Sequence, residues 1–436
     1  MILTIDKLIY GGNGLARLPA DEKGPGKAVF LPFVLEGERV EAGITEQKPG
    51  FARARAEKIL EASPYRIAPA CPYFGQCGGC NYQHAGYEHQ LQIKAAILRE
   101  TLRRVAKLEL EPEIRVHASP PWNYRNRTRL RLRPRPFVLG FNRLRGSELL
   151  AIEQCPISSP LINRAIAALW ELGRADRVSV DVCEVEFFAN ADDTRLLAEL
   201  TVQETGWRHG HKSDLAQFVR ALRAALPEIT GVAVFHATAP GALEREDIPA
   251  ELQETFGADH LLYSTAATNY QVSAGSFFQT NRFLTDKLVE LVTEGRAGDH
   301  ALDLYAGTGL FSVALAKTFR EVGAVESAPR SFHDLKHNCP ANVHCVGEPV
   351  LRFLESIERP IDLAVVDPPR AGLGEKVVGL LADSGTPRIT YVSCDPATLA
   401  RDLTVLVRSG YRIEEVHLVD LFPQTFHIES VLQLVR

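Results

Sequence analysis

At 436 residues the chain exceeds what one hydrophobic core usually organises, so two or three domains are expected. With 45% apolar and 24% charged residues its composition is that of a folded soluble protein, which excludes a disordered or fibrous chain, and no apolar run approaches the roughly 20 residues a membrane span needs. A net charge of -5 counts against a polyanionic partner when averaged over the molecule, so any nucleic-acid surface has to be local.

The opening MILTIDKLIYGG carries no basic segment leading into a signal-like apolar core, and a cytoplasmic location is expected. Residues 1–58 hold short β-like runs (2–8, 27–31 and 38–44) around Gly11-Gly12-Asn13-Gly14, which predicts a small β-barrel. Across 86–107, Leu91, Ala95, Leu98, Leu102 and Val105 recur at steps of four and three, the pattern of an amphipathic helix. From 110 to 265 strand-like stretches (178–188, 196–203, 231–237) mix with helical ones (161–172, 214–225), predicting an α+β region. From 280 onward, helices near 282–294, 309–318, 329–338, 375–383 and 396–408 alternate with strands near 301–305, 322–326, 362–366, 388–392, 414–419 and 430–435. That alternation predicts an α/β fold, a doubly wound and mostly parallel sheet of Rossmann type. The expected division is 1–60, 61–265 and 266–436, with helix 86–107 a candidate to pack on the last unit.

Within the last unit, Asp303-Leu-Tyr305-Ala-Gly307-Thr-Gly309 ends a strand and opens a helix, where glycines let the backbone approach a nucleotide-like ligand. Glu326 ends the next strand 23 residues later, placed to accept hydrogen bonds from ribose hydroxyls. This loop alone does not separate a dinucleotide site from an S-adenosylmethionine site. Asp367-Pro-Pro-Arg closes a third strand, with two prolines stiffening the loop behind the carboxylate. Ser393-Cys394-Asp395-Pro396 presents a thiol at the same edge, where helix amides are expected to favour thiolate. Glu429 sits at the mouth of the final strand, beside an apolar finish.

A thiolate, a carboxylate near an apolar wall and a methyl donor together make a mechanism for methylating a pyrimidine at C5. Cys394 attacks C6, the resulting enolate takes the methyl at C5, and Glu429 removes the C5 proton, with Asp367 holding the base. The uridine has to be unpaired or flipped out.

Two further patterns remain. Cys71, Cys77 and Cys80 with Cys155 offer four soft ligands, a set that suits an iron-sulfur cluster or zinc. Residues 125–145 hold eight arginines and no acid. Arg125, Arg127, Arg129, Arg131, Arg133 and Arg135 recur every second residue, so an extended strand puts them on one face about 6.7 Å apart, near the phosphate spacing of an RNA strand. Trp122, Tyr124, Phe137 and Phe141 are candidates to stack on unpaired bases.

The strings DLYAGTGLFSVALA, DPPRAG, SCDPATLARDL and FPQTFHIESV resemble the successive motifs of the RNA uridine-5-methyltransferase family and cover most of residues 277–436. The resemblance implies Cys394 as nucleophile, Glu429 as base, and Gln279, Tyr305, Glu326 and Asp367 as S-adenosylmethionine-binding residues, beside Gly307 and Gly309 of the loop. Phe426 departs from the family pattern, which often has a small residue there. CGGCNYQH resembles the cluster-bearing members and implies a [4Fe-4S] cluster, and residues 1–58 resemble a TRAM domain. Cluster-bearing bacterial relatives act mostly on large-subunit ribosomal RNA, so 23S ribosomal RNA is the expected substrate, with transfer RNA the alternative. A catalytically dead RNA-binding scaffold would not need both Cys394 and Glu429, and a protein or small-molecule methylase would leave the arginine run unused. No obligate protein partner is evident.

Overall fold

Eight strands form the catalytic-type sheet, in the order Val343–Val346, Phe319–Val325, Gly298–Leu304, Leu363–Val366, Arg388–Ser393, Glu429–Val435, Arg412–Val419 and Ile114–His117. The computed structural model describes residues 1–18, 26–203, 211–237, 251–357 and 359–436. The first five strands are mutually parallel, and Glu429–Val435 runs antiparallel between its two neighbours. Leu363–Val366 is buried along its whole length, as expected of a strand covered on both faces by helices. The chain leaves Gly298–Leu304 toward Phe319–Val325 on one side and meets Leu363–Val366 on the other. That is the switch point at whose carboxyl edge ligands bind in such sheets.

The strand Val343–Val346 and the short helix Val350–Glu355 were not predicted from sequence: four and six residues are too few to establish a period. A second addition comes from far upstream. Ile114–His117 pairs in parallel with Val416–Val419 and extends the sheet at its edge. The preceding helix, Tyr87–Thr101, sets Ile93, Ile97 and Leu98 into the core that holds Leu399 and Leu403. It ends in a wider π-type turn, Leu102–Ala106, which shifts the phase of the apolar stripe and leaves Val105 exposed, against the predicted heptad-like spacing.

The central region is a seven-stranded sheet ordered Leu149–Ala151, Phe137–Asn142, Arg127–Pro134, Val182–Ala189, Leu196–Gln203, Ile229–Ala237 and Glu251–Gly257, with helices Pro160–Arg174 and His211–Ala225. Ser159 caps the first of these helices by accepting from Ile162 N, and Pro160 occupies its first turn. A two-stranded ribbon, His260–Ser264 with Asn269–Ser273, joins this sheet to the last unit through the ring contacts of Phe188, Tyr263 and Phe278.

At the N-terminus six strands make the barrel, ordered Ile2–Thr4, Arg39–Gln47, Phe51–Glu61, Ala28–Pro32, Asn13–Arg17 and Lys7–Ile9. Ile2–Thr4 and Lys7–Ile9 are two halves of one bent run, so pairing the first with Arg39–Glu41 and the second with Asn13–Leu15 closes the sheet on itself. Among the described residues no helix is long and apolar enough to cross a membrane.

Candidate active site and cysteine cavity

Four chemistry-bearing residues end strands at one edge of the eight-stranded sheet: Asp303, Glu326, Asp367 and Cys394. Asp303 is fully buried, with Ser312 donating to Oδ2, while Oδ1 has no hydrogen-bond partner in the protein. Burial pushes its carboxyl up to about 6, Ser312 opposing and Glu326 adding to the rise. Glu326 accepts from Gly307 N at 3.0 Å and Ala328 N at 2.6 Å, so the loop curls around it. Tyr305, Gly307 and Gly309 all take positive φ. A side chain at Gly309 would press on Leu335 and Cys339 at 3.0 and 3.1 Å, whereas at Gly307 it would meet nothing within 4 Å, which marks the open side of the loop. Asp367 is pushed up to about 7 by burial and by Asp303. Gln279 is buried, its carbonyl accepting from Asn126 Nδ2 at 3.3 Å. Phe277, two residues earlier, is 62% exposed.

The antiparallel register sets Ser393 against Ser430, so continuing it by one step places Cys394 opposite Glu429. The Cys394 thiol is pushed up to about 12 by burial first, then by Glu429 and Asp367, with Arg370 opposing and Asp395 adding to the rise. This overturns the expectation of a helix-stabilised thiolate. The reason is that Asp395 caps the helix itself, accepting from Ala397 N at 2.9 Å and Thr398 N at 3.0 Å, so these amides are engaged by a carboxylate. Glu429 is raised well above the usual carboxylate range by burial and Asp367, Arg370 opposing. His427 is held down to about 4 by burial and by Arg370 and stays neutral.

The loop entering Glu429 is clamped by residues that sequence reasoning missed. Gln90 donates to Gln424 Oε1 at 3.0 Å and accepts from Gln424 N at 3.0 Å, while Asn81 N and Tyr82 N donate to Gln424 O. Lys94, fully buried, donates to Asp420 at 2.6 Å and to Phe422 O at 2.9 Å. Polar residues on the apolar face of the helix 87–101 were the available signal.

Cys71, Cys77, Cys80 and Cys155 line one cavity of about 330 Å³, together with Arg125, Arg129 and Phe141. Among the described residues no three His, Cys, Asp or Glu side chains converge closely enough to hold a single metal ion. Burial pushes the Cys77 thiol up to about 11 and Cys80 to about 12, with the neighbouring cysteines adding to both. Gly79 N donates to Cys77 Sγ at 3.4 Å.

The alternation of arginines holds from Arg127 to Arg133, but the shared face is not a free cationic stripe. The adjacent strand sets Glu186 against Arg129 and Glu184 against Arg131, and Glu199 lies beyond Glu186. Arg127 is largely enclosed, its side chain 12% exposed, and is paired with Glu186 and with Glu199 at 2.9 Å, while Arg129 pairs with Glu186 at 2.7 Å. Arg127 is therefore removed from the expected RNA contacts: its charge is spent inside the protein. Arg125 precedes the strand and donates to Arg127 O, Arg131 bonds Asn142, Arg133 is exposed, and Arg135 pairs with Asp176. Tyr124 is likewise no stacking platform, because it is fully buried with its hydroxyl on Pro423 O at 3.0 Å. Phe137 packs edge-on against Trp170.

Residues 86–347 and 355–436 match the family profile described as tRNA (Uracil-5-)-methyltransferase, and residues 2–56 match the TRAM domain. Over 454 residues the chain is 35% identical to the 23S rRNA (uracil(1939)-C(5))-methyltransferase of Chromohalobacter salexigens, covering 100% of this chain and 89% of that one. It is 32% identical over 441 residues to an uncharacterized RNA methyltransferase of Aquifex aeolicus, covering 99% and 97%. The crystal structure of the Pyrococcus abyssi tRNA (uracil-54, C5)-methyltransferase with S-adenosyl-L-homocysteine superposes with a TM-score of 0.76 at 24% identity, covering 100% of both chains, and shares its fold.

Proposed function

The chain belongs to the tRNA (uracil-5-)-methyltransferase family of S-adenosylmethionine-dependent RNA methyltransferases, with an N-terminal TRAM domain, and from that premise we propose that it methylates C5 of a uridine in 23S ribosomal RNA through a covalent bond to Cys394. The observation that carries the chemistry is the register that sets Cys394 opposite Glu429. Cys394 gives its thiol proton to solvent and Sγ bonds to C6 of the uridine; the C5=C6 π pair moves to C5, which takes the methyl group. Glu429 then accepts the C5 proton, the freed pair re-forms C5=C6, and the C6–S bond breaks to release the thiolate, which regains a proton from solvent. S-adenosylmethionine supplies the electrophilic methyl group when bound. Gln279, Tyr305, Gly307, Gly309, Glu326 and Asp367 would hold it, and the unpartnered, buried Asp303 Oδ1 is an acceptor waiting for a donor there. The ribosomal substrate is supported by the 35% identity along the full chain to a relative named for it. Arg133, with the half-buried Arg131 and the exposed but Glu186-paired Arg129, remains for RNA phosphates, with Arg125 beside the cysteine cavity.

The four cysteines are proposed to hold a [4Fe-4S] cluster as a structural brace. Thiols spread around a cavity fit a multi-atom cluster better than one ion, and the Gly79 amide and Arg125 offset the charge of thiolate ligands. We read 1–60 as barrel, 61–265 as cluster and RNA region, and 266–436 as methyltransferase unit, the helix Tyr87–Thr101 packing across to the last.

RNA containing 5-fluorouridine, presented separately as ribosomal and transfer RNA with labelled S-adenosylmethionine, tests the reading. A denaturation-resistant labelled adduct with ribosomal RNA, absent in Cys394→Ser, is expected. An adduct with transfer RNA alone reassigns the substrate, and none with either RNA sinks the mechanism. Anaerobically purified protein is expected to contain iron and acid-labile sulfide, lost together in Cys155→Ser. Stoichiometric zinc without iron overturns the cluster.

A further inference from the structure

The barrel reaches the backbone of Cys394. The turn leaving Lys7–Ile9, residues 10–13, is wedged between the cysteine segment and the catalytic edge. The Tyr10 hydroxyl donates to the Cys394 carbonyl at 3.4 Å and lies beside the Asp395 carboxylate. Its ring meets Phe426 edge-on, with centroids 5.4 Å apart at 86°, and Phe426 in turn lies on His427 at 4.3 Å. Two residues on, Gly12 has φ of 80°, and a Cβ there would come within 2.9 Å of Asn81 Cβ, so glycine is required for this close approach. Asn81 Oδ1 accepts from Phe426 N at 3.4 Å. On the other side Leu8 is buried in the same core as Ile93 and Ile97. The turn is thus fixed from both flanks with its aromatic ring against the residue that departs from the family pattern.

We propose that Tyr10 is a positioning residue of the methyl-transfer site: its hydroxyl fixes the Cys394–Asp395 turn, and its ring props Phe426 as the wall against which the target base lies. The assignment rests on the reading of Cys394 as nucleophile toward uridine. Phe426 fills the space that a small residue leaves open, and Tyr10 is what it packs on. The charged groups facing the thiol are Glu429, Asp367, Asp395 and Arg370. Of these Asp395 belongs to the same turn, beside the tyrosine hydroxyl. A tyrosine that only sealed the interface between barrel and sheet would influence folding or RNA affinity and leave the thiol unchanged.

The test uses full-length wild type, Tyr10→Phe and Tyr10→Ala with two independent readouts. The first is the pH profile of Cys394 alkylation by iodoacetamide without RNA, followed by peptide mass spectrometry. The second is the rate of adduct formation at saturating 5-fluorouridine RNA, with RNA affinity measured alongside. Tyr10→Phe is expected to slow Cys394 alkylation near neutral pH by about threefold or more, the loss of one hydrogen bond. Tyr10→Ala is expected to lower the saturated adduct rate by roughly tenfold or more, with affinity changed much less. Wild-type alkylation profiles together with wild-type adduct rates in both variants overturn the assignment, whatever happens to affinity, and leave the uridine chemistry standing. A shifted alkylation profile in a protein whose wild type forms no adduct keeps Tyr10 as the residue that governs the thiol and removes the uridine reading instead.

Discussion

Replacing Lys94 by methionine keeps the length of the stem and removes the ammonium from a site with no access to water. Lys94 is 0% exposed, and among the described residues it alone supplies the positive charge to Asp420, whose other oxygen accepts from Tyr87 OH at 2.9 Å. In Lys94→Met the carboxylate stays buried with only the tyrosine hydroxyl, and Phe422 O loses its 2.9 Å donor. Removing one partner of a buried pair costs about 3–5 kcal/mol, whereas exchanging both for apolar groups of similar volume is close to neutral. At about 2–4 °C per kcal/mol for a unit of this size, the single variant should melt roughly 6–20 °C below wild type. Lys94→Met combined with Asp420→Leu should recover most of that loss. Because the same loop leads into Glu429, the single variant should also form the RNA adduct more slowly at temperatures where it is fully folded. Thermal melts followed by fluorescence and circular dichroism check the argument. A single variant within about 2 °C of wild type, or a double variant as unstable as the single, would refute the idea that an uncompensated charge is the cost.

Glu429→Gln removes the acid that, after burial, raises the Cys394 thiol most, so its alkylation should quicken, while the C5 proton is stranded and the methylated adduct accumulates on ordinary uridine RNA; release at the wild-type rate would remove Glu429 as base. In wild type, with the thiol pushed up to about 12, adduct formation should climb with pH through neutrality by about tenfold per unit until another step limits, and a flat profile from pH 6.5 to 8.5 contradicts this. Asp303 has a folded pKa of about 6, above its ordinary 3.8. For an acid raised in this way stability is greatest below the ordinary value and is lost as pH rises through the folded one, a cost of roughly 3 kcal/mol at pH 8. Asp303→Asn should therefore melt above wild type at pH 8, with the gap closing toward pH 4, while S-adenosylmethionine binding measured by calorimetry weakens. Arg127→Ala leaves the buried Glu199 without its cation and Glu186 with Arg129 alone, and should cost about 3–5 kcal/mol in stability, whereas Arg133→Ala should melt like wild type and weaken RNA binding with a shallower salt slope.

The strands that carry the site were legible because each ends an apolar run in a polar, turn-forming string: Asp303 before Gly307, Asp367 before two prolines, Cys394 before a capping Asp395. Arg388–Ser393 and Pro396–Arg408 lie within a residue of their predicted bounds. What escaped was whatever depends on a partner distant in sequence. The arginine alternation was visible, yet its neutralisation was not, because Glu184, Glu186 and Glu199 reach the same face only through strand pairing. The thiolate expectation failed for a local reason that was in plain sight: Asp395 follows Cys394 directly and takes the helix amides for itself. Tyr10 carried no signal beyond its place before two glycines, since its meaning comes from residues 384 and 416 positions away.

The edge strand Ile114–His117 sets a timetable for biosynthesis. Its partner begins at Val416, 302 residues after Ile114, so at about 5–20 residues per second a ribosome spends roughly 15–60 s between the two. Throughout that interval the helix Tyr87–Thr101 already exists in the nascent chain, with Ile93, Ile97 and Leu98 deprived of Leu399 and Leu403. The barrel and the central sheet can fold during the wait, but apart from upstream residues such as Leu8 this apolar face lacks its native cover until the last unit emerges, which makes it a stretch of the newborn chain that a chaperone would have reason to hold.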